Sequence, residues 1–223
     1  MTRKVWLLWV VVAGVPAMAQ DRFDAPAAGP APVRQPAPSQ TAAQTPLPGT
    51  AANANANANA NANANANANA NANAETRDLG AAPTDKLHAG PMHGPTPNSI
   101  PGAKLITTAA LVDLLKTDAQ RVRVFDVLGT NERLPNALNA VPAHQAGSFD
   151  DAVQREFGKY LQQVTQGQQD TPLVFYCAST MCWMSYNAAL RAKALGYRNV
   201  LWYRGGVEAW KAAGLPLQGA AAR

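Results

Sequence analysis

Apolar residues are distributed unevenly along the chain, and regular patterns of them begin at Pro101. After that point, short apolar runs typical of strands alternate with segments in which apolar residues recur at helical spacing. The predicted strands are Lys104–Ile106, Val122–Val127, Leu173–Tyr176 and Asn199–Tyr203. Four helices are predicted. The first includes Leu111, Leu114 and Leu115, the second covers Asp151–Gln166, the third includes Ala188, Ala189 and Ala192, and the fourth covers Gly206–Ala213. This alternation predicts a three-layer α/β domain over residues 99–219, with a mainly parallel sheet covered on both faces.

Local signals add detail to this domain. Thr107 or Thr108 is suited to cap the first helix, because a threonine hydroxyl accepts a bond from an unpaired amide of the first turn. Residues 129–149 are rich in Asn, Pro, Gly and Ala and are predicted to form a long surface connection that includes His144. Asp126 is expected to be buried at a strand end and hydrogen-bonded to the backbone.

The first 19 residues have the pattern of a signal peptide. Arg3 and Lys4 precede an apolar run from Val5 to Val15, and Ala17-Met18-Ala19 forms a small-x-small cleavage site. The apolar run is too short to span a bilayer, which takes about 20 residues in a helix. The pattern predicts cleavage after Ala19, no stable membrane span afterwards, and a periplasmic or secreted protein. An uncleaved anchor is the alternative.

Residues 20–98 are predicted to be a disordered tether. The segment is rich in Ala, Pro, Gln and Thr, and residues Asn53 to Ala74 are eleven uninterrupted Asn-Ala repeats. With almost no bulky side chains, it offers too little surface to offset the entropy of ordering it. His88, Met92 and His93 offer ligands for copper, although a solvated linker is the preferred interpretation and no metal site is predicted.

The net charge of +5 does not indicate nucleic-acid binding, because the domain has no run or stripe of Lys and Arg. The two cysteines, Cys177 and Cys182, are more informative. Cys177 directly follows a predicted parallel strand, at the end where ligands bind in such sheets. In an oxidising compartment the two cysteines are expected to meet as a disulfide if the loop curls around Cys177.

The second half of the domain closely resembles the rhodanese family of sulfurtransferases. The residues that carry this resemblance are Val174-Phe175-Tyr176-Cys177, then Gly196-Tyr197-Arg198-Asn199-Val200, and then Tyr203 to Pro216 with its Gly205-Gly206, Trp210 and Gly214-Leu215-Pro216. Asp126-Val127 resembles the Asp-Val end of an earlier strand of that family. The resemblance implies a rhodanese-like fold in which the Cys177 thiolate carries a sulfane sulfur.

A narrower resemblance concerns Cys182-Trp183, which is similar to the Cys-Trp motif of an exported subgroup associated with PQQ-dependent alcohol catabolism. Here four residues separate the cysteines, whereas the motif has two. The loop also lacks the Gly and Arg common in sulfurtransferases, and Leu128 replaces the Arg that usually follows Asp-Val. These departures argue against thiosulfate as the substrate.

A reactive Cys177 needs help to ionise, because a free thiol has a pKa of about 8.5. We expect that help from inward-pointing loop amides and from the N-terminus of the helix that begins near Trp183. The predicted catalytic residues are Cys177 and Cys182, and the loop residues predicted to bind substrate are Ala178, Ser179, Thr180, Met181 and Trp183. No bound cofactor is predicted.

Several functions remain open at this stage. Cys182 either resolves a persulfide or sulfenate on Cys177, or the pair cycles as dithiol and disulfide with an envelope redox protein. A permanent disulfide that only braces the loop is a third possibility, and Cu(I) held by Met181 and Met184 a fourth. The alternative to an enzyme is a binding module that partners a periplasmic quinoprotein (PQQ) oxidation system.

Overall fold

The computed structural model describes residue 70 and residues 72–219 of the chain. The predicted signal peptide and most of the predicted tether, including nearly all Asn-Ala repeats, lie outside the described residues. The strands are β1 (Lys104–Leu105), β2 (Arg123–Asp126), β3 (Leu138–Asn139), β4 (Leu173–Tyr176) and β5 (Val200–Tyr203). The helices are α1 (Thr108–Thr117), α2 (Ala152–Thr165), α3 (Met184–Ala194) and α4 (Gly206–Ala212), with a 3-10 helix at Val141–His144.

The strands form one sheet in the order β1-β5-β4-β2-β3, and every pairing in this described sheet is parallel. This confirms the predicted α/β class. Strand β4 lies at the centre, and all four of its residues are buried, as its continuous apolar run predicts. Cys177 directly follows β4, so it lies at the middle of the edge that the carboxyl ends of the parallel strands form.

Side chains of alternate strand residues enter two separate cores, because successive residues of a strand face opposite sides of the sheet. Phe175 and Trp202 lie in the core formed with α2 and α3. Tyr176 and Tyr203 lie in the core that includes Leu111 and Trp210. Trp202, Tyr203 and Trp210 are buried packing residues of these cores. No helix in the described part of the chain combines the length and apolar character required to cross a membrane.

Side chains cap the starts of two helices, and the cap predicted for α1 is confirmed at Thr107. The Thr107 side chain accepts a bond from the Ala110 amide, and the Asp151 side chain accepts one from the Gln154 amide. Asp126 is buried, and its carboxylate accepts bonds from the amides of Leu128 and Gly129. Burial raises the pKa of Asp126, an effect that these two bonds oppose.

The connection over residues 129–149 is more ordered than predicted. It contains β3 and the 3-10 helix, and it buries Leu134, Ala140 and Ala143 completely. His144 is only partly buried, and its carbonyl accepts a bond from the Asn187 side chain. The two-residue strand and single apolar residues spaced among polar ones provide no periodic signal, so the sequence pattern did not reveal them.

The larger difference concerns residues 75–98, called the N-terminal strap below. The prediction that these residues are part of a solvated tether is wrong, because they lie against the domain. Glu75 and Thr96 are buried polar residues, and Leu87 and Met92 pack against the core beside α3. The ordered part of the chain therefore begins well before the predicted boundary at residue 99.

Candidate disulfide site

The two cysteines are joined in a disulfide at the carboxyl end of β4. Cys177 follows Tyr176 directly, and Cys182 lies at the far end of a short loop, with the two Cα atoms 6.3 Å apart. Residues 177–183 are called the sulfur loop below. The expectation that this loop curls around Cys177 and brings the cysteines together is confirmed.

The strap covers the sulfur loop through an antiparallel arrangement of backbone bonds. The Gly94 amide donates to the Met181 carbonyl (2.8 Å), the Thr96 amide to the Thr180 carbonyl (3.2 Å), and the Trp183 amide to the Met92 carbonyl (2.9 Å). His93 forms a β-bridge with Cys182. As a result, Cys177 is only 1% exposed and Cys182 only 6%.

Two buried side chains of α3 hold the first half of the strap. The Tyr186 hydroxyl accepts a bond from the Thr84 amide and donates one to the Thr84 carbonyl (2.9 and 2.8 Å). The side chain of Asn187 bonds in the same way to the amide and carbonyl of His88 (2.8 and 2.9 Å). These paired contacts satisfy strap backbone groups that would otherwise be buried without partners.

Arg204, which directly follows β5, holds both ends of the strap. Its guanidinium donates to the Glu75 and Arg77 carbonyls, each at 2.8 Å, and to the hydroxyl and carbonyl of Thr96 at 2.9 and 2.7 Å. The side chain is 1% exposed. Within the described part of the chain its partners are neutral acceptors, and it does not take part in an ion pair.

Glu75 connects the strap to the start of α1. Its carboxylate accepts bonds from the amide (2.8 Å) and hydroxyl (2.6 Å) of Thr108. The hydroxyl of Tyr203 lies 2.6 Å from the same threonine hydroxyl. Burial raises the pKa of Glu75, although the bonds from Thr108 lower it.

The predicted loop residues fall into different environments. Trp183 stacks on His88 of the strap with ring centroids 4.2 Å apart and planes inclined by 9°, so one face of its ring is already occupied. The carbonyls of Thr180 and Met181 bond to the strap, and the Ser179 carbonyl accepts from the Cys182 amide. Ala178 lines a separate cavity. Binding of substrate by these five residues stays a prediction.

The immediate partners of the Cys177 sulfur differ from the expected ring of amides. Two amides of this loop, those of Cys182 and Trp183, donate to the carbonyls of Ser179 and Met92 and not to the sulfur. The groups that contact the sulfur are the Ser185 hydroxyl oxygen at 3.1 Å and the Cys182 carbonyl oxygen at 3.2 Å. The local electrostatics of the sulfur therefore depend on a side chain of α3.

A cavity of about 410 Å³ opens at the same edge of the sheet but does not include either cysteine. Its apolar wall contains Leu128, Ala178 and Val207, and its charged residues are Glu132, Glu208 and Lys211. Lys211 and Glu132 form an ion pair. Since the Cys177 sulfur contacts Ser185 of α3, it points to the other side of the sheet from this cavity.

Gly206 positions the start of the sulfur loop. The residue has φ of +62°, and a Cβ atom there would lie 2.3 Å from the Cys177 carbonyl oxygen and 2.6 Å from that of Ala178. These carbonyls accept bonds from the Val207 and Glu208 amides. Only glycine allows this close approach of α4 to the loop.

Gly206→Ala is expected to lower the free energy of unfolding by about 2 kcal/mol, because it combines a left-handed backbone with a clash against backbone atoms. Gly167→Ala is the matched control, since Gly167 also has a positive φ (+75°) but nothing lies within 4 Å of its Cβ position. Urea unfolding of both variants measures the difference. Equal losses in the two variants would contradict a specific role of Gly206 in placing the loop.

Several of these residues were not identified from sequence. Ser185, Tyr186 and Asn187 follow the Cys-Trp pair, and polar residues at three successive positions of a buried helix are a signal that polar partners must exist. Arg204 follows a strand and precedes two glycines, and nothing local indicates that it is buried. Glu75 directly follows the Asn-Ala repeat, where no structure was expected.

The family model described as "Rhodanese-like domain" matches residues 99–213, which is more than half of the 223-residue chain. No curated protein matches the chain.

Solved structures show limited similarity. A protein of unknown function from Rhodopseudomonas palustris, described as a possible tyrosine phosphatase, is 24% identical with a TM-score of 0.39, over 52% of this chain and 85% of its own. A variant of EanB in complex with hercynine is 17% identical with a TM-score of 0.39, over 52% of this chain and 31% of its own. A second EanB variant, in complex with ergothioneine, is 18% identical with a TM-score of 0.39, over 57% and 34% respectively. This chain thus spans only about a third of EanB.

Proposed function

The chain belongs to the rhodanese-like domain family, and from that premise we propose that it performs thiol–disulfide exchange through Cys177 and Cys182 in the cell envelope. The observation that carries the proposal is the disulfide between a cysteine at the end of the central strand and a cysteine five positions later. Family membership supports sulfur or thiol chemistry in general, and the disulfide favours a two-cysteine cycle over a single sulfur-carrying thiol.

A purely structural bridge explains this disulfide poorly. The stabilisation that a disulfide gives falls as the loop it closes becomes shorter, and this loop is very short. The loop is also held by three backbone bonds to the strap, by the Cys182 amide bond to Ser179, and by α4. A cross-link adds little order to a loop that is already held in this way.

The cycle can be written with all atoms accounted for. The thiolate of a dithiol reductant attacks the sulfur of Cys182, which is the more exposed of the two, and the S–S bond breaks with its electron pair left on Cys177. The second thiol of the reductant then attacks the mixed disulfide. This releases the Cys182 thiolate and leaves the reductant as a disulfide.

Sulfane sulfur enters the same cycle. If Cys177 takes up a sulfur atom as a persulfide, the Cys182 thiolate attacks the Cys177 sulfur, releases hydrosulfide and restores the disulfide. Substrates of this kind are small sulfur donors. Both versions need the two cysteines and an external dithiol, such as an envelope redox protein, to start again.

The envelope location rests on the signal-peptide pattern of residues 1–19 and on the disulfide. Disulfides persist in oxidising compartments and are rare in the cytosol. The partner that we propose first is therefore a periplasmic dithiol protein.

The experiment begins with the full chain expressed with export and purified without reductant. Intact mass is expected to match a chain that begins at Gln20 and lacks two hydrogen atoms relative to the dithiol form. Titration against dithiol redox buffers is expected to give a reduction potential well above about −300 mV, whereas inert structural bridges have potentials below about −300 mV. Cys177→Ser and Cys182→Ser are each expected to lose the transition.

The alternatives predict other results. A potential below about −300 mV would contradict the redox cycle and favour a bracing disulfide. A mass gain of one sulfur in the Cys182→Ser variant, lost in the Cys177→Ser variant, would favour sulfane-sulfur transfer as the main activity.

A second candidate function is a binding module, and the burial of Cys177 beneath the strap favours it. In this case the domain presents its surface to an envelope partner, for which we propose a quinoprotein (PQQ) dehydrogenase system. Co-purification of such a dehydrogenase with the double serine variant as efficiently as with the unaltered chain would support the binding module over the redox cycle.

A further inference from the structure

Ser185 connects the Cys177 sulfur to the indole of Trp202. The Trp202 Nε1–H group donates to the Ser185 Oγ atom at 3.0 Å, and this Oγ atom lies 3.1 Å from the Cys177 Sγ atom. Ser185 is the second residue of α3, and Trp202 is in β5. Three elements of the fold therefore meet at one hydroxyl group.

The direction of these hydrogen bonds follows from the chemistry of the groups. An indole N–H is a donor only, so the Ser185 oxygen must accept from Trp202. A serine hydroxyl has a single hydrogen, and that hydrogen is then free to point at the sulfur. Among the hydrogen bonds of the described residues, the Cys177 sulfur is the only other partner of this hydroxyl.

The surroundings make this bond stronger for a charged sulfur than for a neutral one. Ser185 is 1% exposed, Trp202 is fully buried, and Cys177 is 1% exposed, so the strap and the domain keep bulk water from the site. A disulfide sulfur is a weak acceptor, whereas a thiolate accepts strongly and gains more where the dielectric is low.

We propose that Ser185 stabilises the thiolate that forms on Cys177 when the disulfide opens, and that Trp202 positions the hydroxyl for this role. This inference rests on the proposed function, because it assigns a group to the step in which the electron pair of the S–S bond moves to Cys177. Ser185 then acts on the leaving group while an external dithiol attacks Cys182.

Other groups at the site act on the same sulfur. The Cys182 carbonyl oxygen, 3.2 Å away, opposes a negative charge on it and offsets part of the effect of Ser185. The titratable and charged residues with described contacts to the sulfur loop include His88, which stacks on Trp183, His93, which forms a bridge with Cys182, and Glu208, whose amide donates to the Ala178 carbonyl. Arg204 donates to the strap and not to the loop. None of these bonds to the Cys177 sulfur among the described contacts, which leaves Ser185 as its direct donor.

The test compares the pKa of Cys177 in chains that carry Cys182→Ser, so that a single thiol is present. Thiolate absorbance in the ultraviolet, followed against pH, reports this pKa. Ser185→Ala is expected to raise it by about one to two units, the shift that corresponds to losing a hydrogen bond to a charged group. In the chain with both cysteines, Ser185→Ala is expected to slow disulfide reduction by a small dithiol by roughly 3- to 10-fold.

A second variant separates the role of Trp202 from its packing. Trp202→Phe keeps an aromatic ring but removes the donor that orients Ser185, and a smaller rise in the Cys177 pKa is expected. Thr165→Ala is the matched control, because it deletes another buried hydroxyl that lies far from the sulfur and donates to the Leu161 carbonyl. It is expected to cost stability without changing the Cys177 pKa.

The outcomes are distinguishable. A Cys177 pKa in Ser185→Ala that equals the unaltered value, in a chain with native circular dichroism, would overturn the assignment of Ser185 and leave the redox cycle intact. A raised Cys177 pKa in Ser185→Ala, together with a reduction potential below about −300 mV, would support Ser185 as the hydrogen-bond donor to the thiolate. The same result would contradict the proposed redox cycle.

Discussion

Arg204→Leu is expected to detach the N-terminal strap and to lower the free energy of unfolding by about 4 kcal/mol. The guanidinium donates four hydrogen bonds to Glu75, Arg77 and Thr96, and leucine donates none. Bonds from a charged donor contribute about 1.5–3 kcal/mol each. The net loss is smaller than their sum because the freed carbonyls reach water once the strap detaches.

Detachment of the strap should also expose the disulfide. Because Cys177 and Cys182 are almost completely buried beneath the strap, reduction by a small dithiol requires the strap to open first. We expect Arg204→Leu to speed this reduction by at least about tenfold, since tenfold corresponds to only about 1.4 kcal/mol of opening free energy. Urea unfolding, reduction kinetics and proteolysis within residues 75–98 measure the three effects.

Arg198→Leu is the matched control for this experiment. Arg198 forms an ion pair with Asp170, but both side chains are more than half exposed, so their loss has little effect on folding. We expect no measurable change in stability or reduction rate. If Arg204→Leu unfolds at the same urea concentration as the unaltered chain, the strap is not held as the structure indicates.

Asp151→Asn is expected to lower the free energy of unfolding by about 3 kcal/mol, because it leaves a buried arginine without its counter-charge. The Arg191 side chain is 0% exposed and donates to both carboxylate oxygens of Asp151, at 3.1 and 2.8 Å. The same arginine bonds to the carbonyls of Ser148 and Gln145, which holds the connection before α2 against α3. The substituted side chain keeps one acceptor oxygen, so the helix cap is expected to survive in part.

The same carboxylate gives this stability a defined pH dependence. The bond from Arg191 lowers the pKa of Asp151 to about 2, below its value in the unfolded chain. A group whose pKa is lowered by folding stabilises the protein at pH values above its unfolded pKa of about 3.9, and this contribution is lost as pH falls toward 2. The difference in stability between the unaltered chain and Asp151→Asn should therefore shrink between about pH 5 and pH 2.

Asp170→Asn provides the comparison. Asp170 also has a lowered pKa because of its bond to Arg198, but it is exposed to solvent, which screens the pair. Urea unfolding at several pH values should show a pH-dependent gap for Asp151→Asn and none for Asp170→Asn. A gap for Asp151→Asn that stays constant with pH would contradict an ionised Asp151 paired with Arg191.

The sequence predicted helices α1 to α4 and four of the five strands because their signals are local. Leu173–Tyr176 is a continuous apolar run, which a buried parallel strand requires, and residues 151–166 carry apolar side chains at helical spacing, as an amphipathic helix does. The position of Cys177 at the carboxyl end of that strand followed from the same pattern. A disulfide was predicted on the condition that the loop curls around Cys177, and the structure meets that condition.

The strap was not predictable by the same reasoning. Residues 75–98 have too little apolar surface to order themselves, and the entropy argument for disorder is correct for the segment in isolation. What orders it is a set of buried polar groups far away in sequence, since Tyr186 contacts Thr84 over 102 positions and Arg204 contacts Glu75 over 129. Composition does not contain such pairings.

The surroundings of the Cys177 sulfur were likewise predicted in part from sequence and decided in part by tertiary contacts. Sequence alone predicted that a cysteine follows a buried parallel strand and that a second cysteine lies in the loop after it. Only the tertiary structure decided that the carbonyls of Thr180 and Met181 bond to the strap and that the Ser185 hydroxyl, which accepts a bond from Trp202, faces the sulfur. The physical reason is that local periodicity specifies which face of an element is buried, whereas the partner of each buried polar group depends on how separate elements pack together.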